Sequence, residues 1–418
     1  MMGIWKIRGG NQLYGDTTIQ GAKNAVLPIL SATLISGCVT ELENVPELRD
    51  VDNTLEILSY LGCETHREGN CVTVDSRNAR LGPVPAALMA QMRSSVLFLG
   101  AMLARFGKGT VSMPGGCMLG PRPVDLHLKA LECMGADIRL TDDAISCAAG
   151  VLRGGRVTFP TPSVGATENA MLAACGGEGE TMICNAAREP EIMDLQNFLR
   201  AMGVEITGAG TDTILVRGMA PVDAVRYTVM PDRIAAATIL CAGAACGGDV
   251  FLHGTVPEHL DTVTDALKRM GTAIEIRGDI IRVTSTGLLA SPGILETQPY
   301  PGFPTDAQPV LLAASLQARG TTVFRETIFS GRLRHTRELM KLGACIRVDD
   351  RTAEVTGVKQ LTGATVQSTD LRGGAALVVA GLMAEGETEI IDRNHITRGY
   401  DHLDVCLRNL GGDVLYID

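Results

Sequence analysis

Apolar and polar positions along this chain follow two rhythms. Short stretches such as Val204-Glu205-Ile206 and Ala273-Ile274-Glu275-Ile276 alternate one for one, the period of a half-buried strand. Longer Ala- and Leu-rich stretches, Ile234 to Cys246 and Gly373 to Ala384 among them, carry no charge at all. A helix that is apolar all round predicts burial on every side. These runs are too short to span a bilayer.

The two rhythms recur together. A helix ending in Leu or Met and then Gly, followed by an alternating strand, is predicted at Leu61-Gly62, Met134-Gly135, Met202-Gly203, Met270-Gly271, Leu342-Gly343 and Leu410-Gly411. The spacing is roughly 70 residues, the mark of a repeated supersecondary unit. Gly in that place supplies the left-handed turn that closes a helix. Upstream of each lies a turn and β-branched strand: Gly37-Cys38-Val39, Gly109-Thr110-Val111, Gly179-Glu180-Thr181, Gly248-Asp249-Val250, Gly320-Thr321-Thr322 and Gly386-Glu387-Thr388. Each unit is therefore a buried helix, a strand, an amphipathic helix, then one or two strands. Solenoid periods are usually shorter, so six such units predict two globular domains of three.

The starts of the six buried helices carry polar residues: Lys23-Asn24, Arg93-Ser94, Ser163, Asp232-Arg233, Thr305-Asp306 and Asp370-Leu371-Arg372. Helix N-termini present free N–H groups and a positive dipole end. Ser163, Asp232, Asp306 and Asp370 suit simple capping as well as function. Lys23, Arg93, Arg233 and Arg372 oppose the dipole, which implies that an anion is expected there.

The length of 418 residues predicts two or three domains, and the formal net charge of −10 argues against general nucleic-acid affinity. Aromatics are only 4%, so small aliphatic side chains must build the interior. Twelve cysteines without a CxxC pair imply a reducing compartment and mostly buried free thiols, and Met1 to Gly10 lacks an apolar signal core. A cytoplasmic protein that does not associate with membranes is expected.

Pro114-Gly115-Gly116-Cys117-Met118-Leu119-Gly120-Pro121-Arg122-Pro123 is too rich in Gly and Pro for helix or central strand, and reads as a loop over about 112–123 able to move. Cys117 is the one cysteine in such a setting. The glycines imply exposure and Arg122 would favour a thiolate, but composition leaves a reactive and an ordinary thiol both open.

Gly115-Gly116-Cys117, Arg122-Pro123-Val124-Asp125-Leu126-His127, Lys23-Asn24, Ser163-Val164-Gly165-Ala166-Thr167, Arg188-Glu189-Pro190-Glu191, Phe303-Pro304-Thr305-Asp306, Asp370-Leu371-Arg372 and Arg398-Gly399-Tyr400, taken in order, resemble the UDP-N-acetylglucosamine 1-carboxyvinyltransferase family of enolpyruvyl transferases. The likeness covers essentially the whole chain. It implies a two-domain α/β fold, an inside-out α/β barrel of three repeats per domain. One domain would hold 23–230 with the cysteine loop and the other 1–22 plus 231–418, the active site lying in the cleft between them.

The implied reaction moves the enolpyruvyl group of phosphoenolpyruvate to the 3′-hydroxyl of UDP-N-acetylglucosamine, the first committed step of bacterial peptidoglycan synthesis. By resemblance, Cys117, Asp306, Lys23 and Arg398 are catalytic. Cys117 is the general acid at C3 and the thiol that forms a phosphoenolpyruvate adduct, while Asp306 deprotonates the 3′-hydroxyl. Phosphoenolpyruvate is held by Lys23, Asn24, Arg122, Arg332, Arg372 and Arg398. The sugar nucleotide is held by Arg93, Arg122, Pro123, Val124, Asp125, Leu126, Ser163, Val164, Asp306 and Ile328. No metal or cofactor is implied, and a monomer or weak homo-oligomer is expected. His395 is left outside the catalytic set, since a lone His is more often structural.

Three places depart from the family pattern: Ala235 stands where Glu is usual, Phe329-Ser330-Gly331-Arg332 where Phe-Glu-Asn-Arg or a similar segment is usual, and Thr161 where Lys is frequent. The rival readings are a 5-enolpyruvylshikimate-3-phosphate synthase, an inactive binding paralogue, and a nucleic-acid end-processing enzyme built from similar repeats. The Cys117 loop weighs against the first, Cys117 with Asp306 against the second, and net acidity against the third. Cys117→Ser is expected to cut turnover sharply and to block inactivation by the epoxide fosfomycin.

Overall fold

After Arg233, helix Arg233–Cys246 runs through Ala, Ile, Leu and Thr without another charge, and every residue from Arg233 to Ala245 is buried. Such a helix must have protein on all sides. In the computed structural model, which describes residues 3–82, 84–113, 124–220 and 222–418, five more helices hold the equivalent place. They are Lys23–Ser36, Phe98–Phe106, Val164–Ala174, Gln308–Ala314 and Leu371–Met383. No described helix is long and apolar enough to cross a membrane.

The chain divides into two compact units, one of residues 21–113 and 124–230, the other of 3–20 and 231–418. Each has its own apolar core. In the second unit, helices Arg233–Cys246, Gln308–Ala314 and Leu371–Met383 pack on one another in all three pairings. In the first, Phe98–Phe106 packs against both Lys23–Ser36 and Val164–Ala174.

Around these helices stand six sheets, three to a unit, with no closed barrel among the described strands. One plan recurs. Strand Ile294–Glu296 lies parallel to Thr321–Arg325, which pairs antiparallel with Thr352–Thr356, which in turn pairs antiparallel with Cys345–Asp349. The sheet of Arg156–Thr158, Thr181–Cys184, Thr213–Met219 and Val204–Thr207 repeats it. The sheet of Lys108–Ser112, Ala144–Ala148 and Asp137–Leu140 has three described strands. The segment preceding its helix carries Pro83 and Pro85 in the sequence, which lack the N–H a ladder needs.

Two strands near the start of the chain pair far downstream. Leu13–Thr18 lies parallel to Gly248–His253, and Gly3–Arg8 is sandwiched between Glu387–Asp392 and Asp413–Ile417. The lone Trp5 is thereby buried at 1% exposure, its ring 4.9 Å from that of Tyr416.

All six glycines expected to close a helix are left-handed, with φ of 80° at Gly62, 92° at Gly135, 86° at Gly203, 95° at Gly271, 90° at Gly343 and 92° at Gly411. The upstream turns follow with two corrections, the first being that Gly248 already belongs to its strand and Gly247, at φ 77°, makes the turn. Gly109 likewise sits inside its strand, and the left-handed residue there is Gly107 at φ 68°. Most of the described cysteines are buried or half-buried, as expected, with three exceptions. Cys71, Cys133 and Cys345 are exposed, the first and third on the outer faces of strands and the second at a helix end. Burial pushes the thiols of Cys63, Cys147, Cys175 and Cys246 up to about 12, which keeps them protonated and inert.

Candidate active site

Three of the six helix starts use their polar residue as a cap. Ser163 accepts from the N–H of Ala166, Asp232 from Ile234 and Ala235, and Asp370 from Arg372 and Gly373. Asp306 does not cap. Its helix begins at Gln308 with Ala307 in the cap position, and the Asp306 carboxylate turns to two guanidiniums instead. Arg332 Nη2 donates to Oδ1 at 2.5 Å, while Arg372 Nε and Nη2 each donate to Oδ2 at 3.3 Å. Both arginine side chains are essentially buried, at 1% and 2% exposure, whereas Asp306 keeps 27%. A carboxylate that stays partly open while its cations are buried is placed to meet a ligand.

The arginines are held from behind. Thr305 Oγ1 accepts from Arg332 Nε at 3.1 Å and donates to Glu326 Oε2 at 2.9 Å. Glu326 Oε1 accepts the backbone N–H groups of Ile328 and Phe329 at 2.8 and 2.9 Å. That fixes the turn leading to Arg332 and places half-buried Ile328 on it. The Arg332 guanidinium also lies 5.2 Å from the Phe329 ring and 3.7 Å from Asp370. Arg372 lies 5.3 Å from the Tyr400 ring; cation–π contact suits a planar cation removed from water. Buried Arg233 faces the Tyr300 ring at 5.7 Å. Arg398, half-buried, ends the short turn Ile396–Arg398.

In the other unit Lys23 opens its helix, with Nζ 2.8 Å from Asp50 Oδ2; their side chains are 9% and 3% exposed. Breaking such a pair leaves a lone buried charge, so it is strongly held. Asn24 follows it, half-buried. Arg93 begins the turn Arg93–Leu97, and Val124 caps helix Asp125–Cys133, which carries Asp125 and Leu126 in its first turn. His127 on that helix meets Asn169 Nδ2 at 3.2 Å, tying it to the Ser163–Val164 helix start. Burial first, then the Arg93 charge, lowers the His127 pKa to about 4.

The expected residues Cys117, Arg122 and Pro123 lie outside the described residues. Among the rest, Asp306, Arg332 and Arg372 are brought into direct contact. Cations at helix starts were expected to await a foreign anion, but acids of the protein already face two of them, Asp50 for Lys23 and Asp306 for Arg372. Asp50 was missed because an acid in the first turn of helix Arg49–Tyr60 reads as ordinary dipole complementarity. Tyr300 and Glu326 carry no pattern that separates them from loop residues.

Residues 7–405 match the family described as EPSP synthase (3-phosphoshikimate 1-carboxyvinyltransferase). The chain is 45% identical over 416 residues to UDP-N-acetylglucosamine 1-carboxyvinyltransferase 2 of Caldanaerobacter subterraneus subsp. tengcongensis, covering 100% of both chains. It is 44% identical to UDP-N-acetylglucosamine 1-carboxyvinyltransferase of Geotalea uraniireducens over 98% of both. Among solved structures, the enolpyruvyl transferase NikO from Streptomyces tendae superposes with a TM-score of 0.89 at 26% identity, covering 99% of each chain. EPSP synthase from Acinetobacter baumannii shares the fold, with a TM-score of 0.75 at 22% identity over 100% of each chain.

Proposed function

The chain belongs to the EPSP synthase (3-phosphoshikimate 1-carboxyvinyltransferase) family of enolpyruvyl transferases, and within it we propose that this transferase moves the enolpyruvyl group of phosphoenolpyruvate onto the 3′-hydroxyl of UDP-N-acetylglucosamine, releasing phosphate. The product feeds peptidoglycan synthesis, in a bacterial cytoplasm, from a monomer or weak homo-oligomer.

The reaction is an addition and an elimination. The 3′-oxygen attacks C2 while C3 gains a proton, giving a tetrahedral ketal. Phosphate then leaves C2 and C3 loses a proton, restoring the double bond. Lys23, Asn24, Arg122, Arg332, Arg372 and Arg398 are the groups for the donor's two anionic ends, the guanidinium fork matching carboxylate and phosphate alike. Cys117 protonates C3. Arg93, Arg122 to Leu126, Ser163, Val164 and Ile328 hold the sugar nucleotide.

The observation that supports this reading best is the Arg332–Asp306–Arg372 contact. Two guanidiniums on one carboxylate weaken it as a base. When a substrate carboxylate shares those arginines, Asp306 is relieved of part of their field and becomes able to take the 3′-hydroxyl proton. The base is thus switched on by the donor.

The purified chain is expected to release phosphate from phosphoenolpyruvate only with UDP-N-acetylglucosamine present. Release with shikimate-3-phosphate and none with the sugar nucleotide would transfer the assignment to an EPSP synthase. Tight sugar-nucleotide binding without release from either acceptor would mark an inactive binding protein.

A further inference from the structure

Asp392, Ser368 and His395 form a hydrogen-bond cluster outside the residues assigned so far. Asp392 ends strand Glu387–Asp392 and has no exposed surface. Its Oδ1 accepts the Ser368 hydroxyl at 2.5 Å and the His395 backbone N–H at 2.8 Å. Its Oδ2 accepts the Ile396 N–H at 3.2 Å. Those two N–H groups open the turn Ile396–Arg398, so one carboxylate caps the turn that carries Arg398.

The same carboxylate also holds the segment that leads to the other arginine, through Ser368. Ser368 lies two residues before Asp370, the cap of helix Leu371–Met383, and Arg372 is the second residue of that helix. The Ser368 hydroxyl has one proton, used on Asp392. Its 2.9 Å contact with His395 Nδ1 therefore requires that the ring nitrogen carry the hydrogen. That N–H also points to the Ser368 carbonyl at 3.1 Å. The imidazole is locked in one tautomer, bridging the segment before Arg372 to the segment before Arg398.

We infer that Asp392, through Ser368 and His395, is a positioning group that fixes the Arg398 turn against the start of the Arg372 helix, setting the spacing of the two guanidiniums for one small dianion. This rests on the reading of Arg372 and Arg398 as phosphoenolpyruvate ligands. A buried charge with every contact satisfied within the cluster holds a geometry more tightly than the three-residue turn does alone.

Steady-state kinetics on the full chain test this with Ser368→Ala, Asp392→Asn and Arg398→Ala. Ser368→Ala is expected to raise the KM for phosphoenolpyruvate about tenfold while the KM for UDP-N-acetylglucosamine moves less than about twofold. Asp392→Asn shifts it the same way; if that variant does not fold, Ser368→Ala decides alone. The Ser368→Ala effect should vanish when Arg398→Ala is already present, because groups acting through one another are not additive. A raised KM in Arg398→Ala beside an unchanged one in Ser368→Ala would overturn the inference alone. So would an undiminished Ser368→Ala effect in the Arg398→Ala background, or an equal rise in both KM values. An unchanged KM in Arg398→Ala would instead overturn the ligand assignment, and the inference with it.

Discussion

Replacing Asp306 with Asn changes two things at once. It removes the proposed base, and it frees two buried guanidiniums of a competing carboxylate. We expect kcat to fall about a hundredfold or more, in the range of a lost general base. The KM for phosphoenolpyruvate is expected to fall or stay level. A raised KM with kcat intact would make Asp306 a binding group only. Its partners stand 26 and 66 residues away in sequence, which is why the helix-start pattern left capping and function both open and only resemblance chose between them. His127 offers a second test. Its folded pKa of about 4 lies below the ordinary 6.5, so the unfolded chain binds more protons between these values. Stability therefore rises with pH through that window and is lost as pH falls from about 6.5 toward 4. At pH 5 the loss is about 2 kcal/mol, from ~1.36 kcal/mol per pKa unit. Thermal unfolding of His127→Gln should show a shallower decline between pH 7 and pH 5 than the parent protein.

The recurrent element is the helix closed by a left-handed glycine, and its legibility was high because that conformation strongly favours glycine, which fills all six of these places. Position in the repeat does not set the cost of changing it, however. A Cβ at Gly271 meets nothing within 4 Å, whereas at Gly203 it would stand 2.5 Å from the carbonyl oxygen of Ala220. Gly271→Ala should cost about 1–2 kcal/mol from backbone strain alone, and Gly203→Ala distinctly more. Urea titration of both variants checks the order, and equal losses would refute it. Other element-level facts were illegible for a plain reason. An alternating strand declares its buried face but not its neighbour, so nothing in Gly3–Arg8 told that it pairs with Glu387–Asp392 and Asp413–Ile417. Exposure of Cys71 and Cys345 follows from the same ignorance, since each takes a polar position in its strand's alternation.

At the scale of the whole chain, the two apolar cores have no residue in common among those described. Cooperative unfolding of such a chain need not be two-state. Trp5, the one tryptophan, belongs to the unit of 3–20 and 231–418, so its fluorescence reports that unit while far-ultraviolet circular dichroism reports both. Urea transitions followed by the two signals are expected to separate. Coincident curves would mean that the units unfold together.

The pairing of Gly3–Arg8 with residues beyond 386 has a consequence during synthesis. Synthesis runs from the N-terminal side, so this strand is made well before the carbonyls and amides that complete its ladders. Meanwhile residues 21–230 can gather their own core around helix Lys23–Ser36. The strand must wait, edge open, until those partners are made. A chaperone that masks strand edges would find its longest-lived client there, and release would be timed by the arrival of Asp413–Ile417.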